Sequence, residues 1–196
     1  PHLCPSRSGD LVREGSRKAV FLDRDGVLIE DTGYPDDPDA IALLDSVGAA
    51  LRNLRAAGWR LVVVSNQSGV ARGRFTLQTL EAIHERLRSL LAAEGVRLDA
   101  LYFCPHHAEG SEAAFARPCA HRKPAPGMLL TAAAELDLDL AASWMVGDRE
   151  SDVRAGRAAG CRTILLGDGA STADFVARDL GHAAELILAH ARNQDS

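Results

Sequence analysis

Short apolar runs that end in acidic or polar residues alternate along the chain with stretches of helical spacing. Ala19–Leu22 is apolar and ends in acid, which suits a buried strand. From Ser46 to Ala57, Val47, Leu51 and Leu54 recur at helical spacing, and Gly58 marks the stop. Leu61–Val64 reads as a second buried strand. Thr76 is placed as the N-cap of a helix whose Leu80, Ile83, Leu87 and Leu91 share one face and which ends near Gly95. Ala100–Phe103 gives a third strand, followed by an irregular loop from Cys104 to Arg122. Gly127–Leu136 is helical, Ser143–Val146 a fourth strand, Ser151–Ala159 a helix, Arg162–Leu166 a fifth strand and His182–Ala191 an amphipathic helix. Strands alternating with helices of this length predict an α/β domain on a mainly parallel sheet with helices on both faces. Ahead of it, Pro1 to Arg17 mix Pro, Ser, Gly and charge without period. We therefore expect a loose extension over 1–17 and a single domain over 18–196.

Composition narrows the classes. The 196 residues suffice for one domain with a sizeable core. Hydrophobic residues at 46% and charged residues at 25% are ordinary for a soluble globular protein. A net charge of −5 offers no general attraction to nucleic acid or an anionic membrane, so an anionic substrate needs local charges or a metal. Apolar runs such as Leu61–Val64 are too short to span a bilayer. No basic-then-apolar leader opens the sequence, and Cys4, Cys104, Cys119 and Cys161 do not form a disulfide framework, since two fall in one His-bearing loop. The expectation is a cytoplasmic monomer that binds a small molecule, with no nucleic-acid or membrane partner.

In parallel sheets ligands sit beyond the carboxyl ends of the strands, and the chemically loaded clusters fall there. Asp23-Arg24-Asp25-Gly26 brings two carboxylates two residues apart to a strand end, with a glycine for a sharp turn. The first is placed to attack and the second to donate a proton; alone, such a pair is more often an inert acidic strand cap than a catalytic one. Ser65-Asn66-Gln67-Ser68-Gly69 ends another strand in donors able to cradle phosphate oxygens, or in an ordinary polar turn. Arg122-Lys123-Pro124 offers positive charge before a helix. Gly147-Asp148-Arg149-Glu150-Ser151-Asp152 ends a strand in acid, and a helix starting between Asp148 and Asp152 would keep both near one site.

The long loop carries a second constellation. Cys104 with His106, and Cys119 with His121, are two short pairs whose separation suits closing a loop around tetrahedral Zn²⁺. Four protein ligands would leave no open position, so such a zinc is structural. His107 is a possible substitute for His106, and the bland alternative is two buried thiols beside surface histidines.

Taken in order, D-x-D-G, the strand-end Ser, the Lys and G-D-x-x-x-D resemble the haloacid dehalogenase superfamily of phosphohydrolases. The resemblance implies a Rossmann-like sheet and a Mg²⁺-dependent phosphatase in which Asp23 becomes an aspartyl-phosphate. Asp25 would protonate the leaving oxygen and then activate water, while Ser65 and Lys123 hold the transferring oxygens. Asp23, Asp148 and the Asp25 carbonyl would hold Mg²⁺, with Asp152 orienting a metal water or Lys123. The stretch between Asp25 and Ser65 is too short for a cap domain, so a capless pocket is expected.

From Ala19 to about Gly169 the sequence is similar to the D-glycero-D-manno-heptose 1,7-bisphosphate phosphatases, close relatives of the histidinol-phosphate phosphatases. The likeness rests on Asp31-Thr32-Gly33-Tyr34, on Ser65 through Gly73, and on Cys104-Pro105-His106-His107 through Pro124. It implies removal of the 7-phosphate, with Asp31, Thr32, Gly33, Tyr34, Ser65, Asn66, Gln67, Ser68, Arg122 and Arg149 contacting the substrate. Two positions depart from the family: His121 stands where Cys is usual, and Arg149 where Lys is common. Cys₂His₂ is still a competent zinc set, and Arg keeps the charge while adding a fork.

Overall fold

The computed structural model describes residues 17–169 and 171–194, so the expected extension, save Arg17, lies outside the described residues, as does Cys4. In chain order the elements are β1 (Ala19–Leu22), a 3-10 turn (Pro38–Ala40), α1 (Val47–Ala56), β2 (Arg60–Asn66), α2 (Leu77–Ala93), β3 (Ala100–Cys104), α3 (Gly127–Leu136), β4 (Trp144–Gly147), α4 (Glu150–Ala159), β5 (Arg162–Leu166), β6 (Phe175–Ala177) and α5 (Leu180–Gln194). The strands form one sheet in the order β3-β2-β1-β4-β5-β6, and every pairing is parallel. β6 was not legible in the sequence. Its three residues are mostly exposed, and register with β5 rather than any apolar run makes them a strand.

Successive strand residues point to opposite faces, and each face finds its own helices. Val20, Leu22, Leu61 and Val63 pack with Leu51 and Leu54 of α1, Ile83 and Leu87 of α2, and Ile187 of α5. Ala19, Phe21, Val62, Val64 and Met145 pack with Met128 and Leu129 of α3 and Ala155 of α4. Leu22, Leu54 and Ile83 are fully buried, each contributing about 1.5–3 kcal/mol by transfer from water. As read from the sequence, Thr76 caps α2: its Oγ1 accepts from the Thr79 N–H at 3.1 Å. At α1 the cap position is Ser46, which has a φ of 68° and makes no side-chain cap bond.

The chain fills β2 and β3 on one side of β1, then crosses to β4 on the other. Crossovers diverge between β1 and β4, and the crevice beyond those strand ends is where such sheets bind ligands.

Candidate active site at the sheet switch point

Asp23 follows β1 directly, and its N–H donates to Val146 O of β4 at 3.0 Å, which fixes it at the switch point. The strand's period of two continues past its end. Asp23 turns toward α3 and α4, where it meets Lys123 and Asp152, and Arg24 turns toward α2.

Lys123 is 2% exposed, and its ammonium lies 3.0 Å from Asp23 Oδ1 and 2.7 Å from Asp152 Oδ1 while donating to Val64 O at 2.8 Å. Burial by itself would lower its pKa; the two carboxylates reverse that and raise it, holding the lysine charged. Its backbone is clamped as well, because the Asn66 amide donates to Lys123 O at 2.9 Å and accepts from Lys123 N at 3.0 Å. Asp152 lies in the first turn of α4, where its Oδ2 accepts from the Arg149 N–H at 3.0 Å. The helix does start between Asp148 and Asp152, as their spacing predicts.

One carboxylate oxygen from each of Asp23, Asp148 and Asp152 lies within 4.8 Å of the others. Burial and the charges of Asp23 and Asp152 push the Asp148 carboxyl up to about 6, and its Oδ1 is buried without a hydrogen-bond partner. Crowded acid with an unpartnered oxygen fits a hard divalent cation, whose charge would offset the repulsion. Two glycines allow the crowding. A Cβ on Gly26, whose φ is +75°, would fall 2.3 Å from Asp148 Oδ2, and one on Gly147 would fall 2.2 Å from Asp152 Cβ.

Asp25 sits on the other side of the strand end. Arg24 grips it with both prongs, Nε to Oδ1 at 2.9 Å and Nη2 to Oδ2 at 3.0 Å, and Gln67 Nε2 donates to Oδ2 at 2.8 Å. Burial raises the Asp25 pKa despite the opposing Arg24 charge. Gln67 Nε2 also reaches Ser65 Oγ at 2.8 Å, and Gln67 Oε1 accepts from Arg24 at 3.0 Å. Gln67 is expected from its motif to contact substrate. Its amide is buried and engaged on both atoms, and its N–H is bonded to Cys104 O, so it frames Asp25 and Ser65 from within. Asn66 likewise spends its side chain on Lys123.

Thr32, Gly33 and Tyr34 are exposed, and Ser68 is half-buried. Asp31 and Arg149 form an ion pair, and Asp31 Oδ1 accepts from the Gly33 N–H at 2.9 Å, so the 31–34 turn is moored to the end of β4. Burial tends to raise the Asp31 carboxyl, but the Gly33 N–H and Arg149 outweigh it and hold it low. The Arg74 guanidinium lies over the Tyr34 ring at 5.8 Å. Arg122 is half-buried and its Nη1 donates to His106 O at 3.3 Å. Burial lowers its pKa, and the Arg72 charge adds to that effect.

Three of the four expected zinc ligands converge: donor atoms of Cys104, His106 and Cys119 lie within 4.8 Å of one another. Cys104 Sγ is 3.7 Å from His106 Nδ1, and Cys119 Sγ is 3.9 Å from His121 Nδ1. A zinc tetrahedron has sulfur–nitrogen edges of about 3.6 Å. His121 stands outside the three-residue group but keeps Nδ1 toward Cys119, because its Nε2 is held by Thr131 Oγ1 at 3.1 Å. Burial, with Cys119 beside it, pushes the Cys104 thiol up to about 12, a cost that a bound cation would remove. His107 points elsewhere: its Nδ1 accepts from the Glu109 N–H and its Nε2 faces Arg72. Arg24, Arg72 and Arg74 were missed in the sequence. Only the position of Arg24 between two aspartates hinted at a role, and its burial is a tertiary fact.

A family model described as HAD-hydrolase-like matches residues 120–192. A D-glycero-beta-D-manno-heptose-1,7-bisphosphate 7-phosphatase from Yersinia pestis is 44% identical, over 87% of this chain and 95% of its own. Among solved structures, a HAD-like phosphatase from Mesorhizobium loti superposes with a TM-score of 0.86 at 38% identity, covering 95% of this chain and 92% of the other. A D,D-heptose 1,7-bisphosphate phosphatase from B. bronchiseptica, complexed with magnesium and phosphate, gives a TM-score of 0.78 at 36% identity, covering 88% and 99%. With 87% of this chain and 95% of the Yersinia pestis phosphatase aligned at 44% identity, the protein belongs to the heptose-1,7-bisphosphate 7-phosphatase family of HAD-like hydrolases.

Proposed function

We propose that the protein removes the 7-phosphate of D-glycero-D-manno-heptose 1,7-bisphosphate through a phosphorylated Asp23, leaving heptose 1-phosphate. The observation that carries this reading is the pairing of Asp23 with a fully buried, charged Lys123 at the switch point, in a chain of this family. Asp23 attacks phosphorus as the bond to the sugar oxygen breaks, and Asp25 gives that oxygen its proton. Asp25, now a carboxylate, takes a proton from water. The water oxygen bonds to phosphorus and the ester bond to Asp23 breaks, so phosphate leaves and both aspartates return to their starting forms. Burial raises the Asp25 pKa, the direction a proton donor needs, while Arg24 and Gln67 oppose it.

Ser65 Oγ accepts from Gln67, which leaves its own hydrogen for a phosphoryl oxygen, and Lys123 supplies charge to the same group. Asp23, Asp148 and the Asp25 carbonyl would hold Mg²⁺, with Asp152 fixing Lys123; the metal supplies charge that lets a carboxylate approach a phosphate dianion. Cys104, His106, Cys119 and His121 would hold a structural zinc that stiffens the segment leading to Arg122 and Lys123. Arg122, with Tyr34 and Arg149 at the mouth, would grip the phosphate that is not cleaved. The free thiols of Cys104, Cys119 and Cys161 suit a reducing cytoplasm. Among the described residues no helix is long and apolar enough to cross a membrane.

The test is phosphate release from the heptose bisphosphate and from histidinol phosphate side by side, with phosphorus NMR identifying the ester lost. Preferential loss of the 7-phosphate is expected. Preference for histidinol phosphate would overturn the sugar reading while leaving the aspartate chemistry standing.

A further inference from the structure

Arg24 is completely buried, between Asp25 on one side and α2 on the other. A guanidinium so placed must find an acceptor for each N–H it can. Nε and Nη2 take the two oxygens of Asp25, and Nη2 also meets Gln67 Oε1. On the far side, Nη1 lies 3.2 Å from His84 Nε2. A guanidinium has only donors, so His84 Nε2 must present its lone pair, and the ring is neutral with its proton on Nδ1. His84 is 2% exposed, in the middle of the apolar face of α2, and its ring meets Phe103 of β3 at 5.3 Å. Burial and the positive charges of Arg24 and Arg88 keep its pKa well below the usual range, in agreement with a neutral ring.

A histidine is an odd choice for the core face of a helix whose other buried positions are Leu80, Ile83, Leu87 and Leu91. A carboxylate there would pull Arg24 away from Asp25, and a leucine would leave Nη1 without this acceptor. A neutral acceptor does neither.

We propose that Arg24 and His84 are positioning residues for the proton transfers of Asp25. His84 anchors one end of the guanidinium to α2 so that its fork holds the Asp25 carboxyl in the plane needed to reach the leaving oxygen. The proposal rests on the reading of Asp25 as the acid, and the experiment separates the two. A general acid matters for a sugar alkoxide and little for p-nitrophenolate, which leaves without a proton. Because kcat/KM reports steps up to phosphorylation of Asp23, the ratio of kcat/KM on the heptose bisphosphate to that on p-nitrophenyl phosphate reads the acid alone.

For Asp25→Asn the ratio falls by about a hundredfold. For His84→Leu it falls by roughly tenfold, carried by kcat rather than KM, since a displaced group loses part of its effect. His84→Gln recovers most of the ratio, because the amide oxygen can accept from Arg24. Should His84→Leu not fold, His84→Phe, which fills the ring volume without an acceptor, carries the same reading. No change in the ratio for Asp25→Asn removes the acid reading and this proposal with it. A fall for Asp25→Asn with equal losses on both substrates for His84→Leu overturns the positioning role alone. A His84→Gln variant as impaired as His84→Leu assigns the effect to packing and overturns it too.

Discussion

Lys123 is the residue on which the electrostatics of the crevice turn, since a buried ammonium stays charged only while Asp23 and Asp152 flank it. An amide at position 23 keeps the carboxylate's shape and leaves Asp152 at 2.7 Å from the Lys123 ammonium, so the substitution retains one of the two contacts that hold the lysine. Asp23→Asn is expected to cut turnover by at least about a thousandfold, with an unchanged circular dichroism spectrum; near-normal turnover would sink the covalent mechanism. Arg122 lies at the mouth with its pKa lowered by burial and by Arg72, a field that an anion would relieve. A charge-assisted contact there is worth roughly 1.5–3 kcal/mol. Arg122→Ala should therefore lower kcat/KM for the bisphosphate about ten- to a hundredfold relative to a heptose monophosphate. Equal losses on both substrates would place Arg122 on the reacting phosphate or in the scaffold.

At the scale of elements, the loop from Cys104 to Arg122 forms no helix or strand beyond Cys104 and is held by turn hydrogen bonds such as His107 N–H to Phe115 O at 3.2 Å and Phe115 N–H to Glu112 O at 2.9 Å. Its inner side is the thiol and imidazole group, with the His106 ring against Phe115 at 5.9 Å. Arg117 Nη2 faces His106 Nε2 at 2.8 Å, so that nitrogen accepts and the ring proton is on Nδ1. Metal on Nδ1 would move the proton to Nε2 and turn Arg117 away. Protein purified without chelator should carry one zinc per chain by elemental analysis. Stripping the zinc, or making Cys119→Ser, should open residues 107–118 to limited proteolysis and lower activity several-fold. A zinc-free loop that resists protease equally well would refute the structural role. The elements themselves were largely legible: five strands and five helices fall within a few residues of their expected bounds. α5 begins earlier and ends later than the pattern suggested, and β6 was missed, because pairing rather than apolar spacing makes it a strand.

For the whole molecule, the acidic cluster links metal, pH and stability. Asp148 titrates at about 6 when folded, against an ordinary value of 3.8. Between those limits the folded chain binds a proton that the unfolded chain has released, so this group's contribution to stability falls as pH rises through the interval. Metal-free protein should lose thermal stability from about pH 4 to about pH 6 on account of Asp148. Added Mg²⁺ should raise Tm more at pH 7.5 than at pH 5, where the proton competes for the same carboxylate. An equal Mg²⁺ shift at both pH values in differential scanning fluorimetry would show that Asp148 does not bind the ion.

The sequence by itself determined the α/β plan, the strand ends at which the reactive residue types gather, and the acids, lysine and thiols that are the candidates there. These are local properties: apolar runs of strand length, helical spacing and short motifs written in consecutive residues. Tertiary structure decided which of those residues face one another. Asp23 and Arg24 are neighbours in the chain, yet the strand's alternation sends one to Lys123 and Asp152 and the other to His84, far along the sequence. Gln67 and Asn66 read as substrate contacts because the motif is exposed to inference only as a string. The fold turns Gln67 inward to Asp25 and Ser65, and commits Asn66 to the backbone of Lys123. A residue's type limits what it can donate or accept, but burial and distance, which depend on the packing of every element at once, decide what it meets.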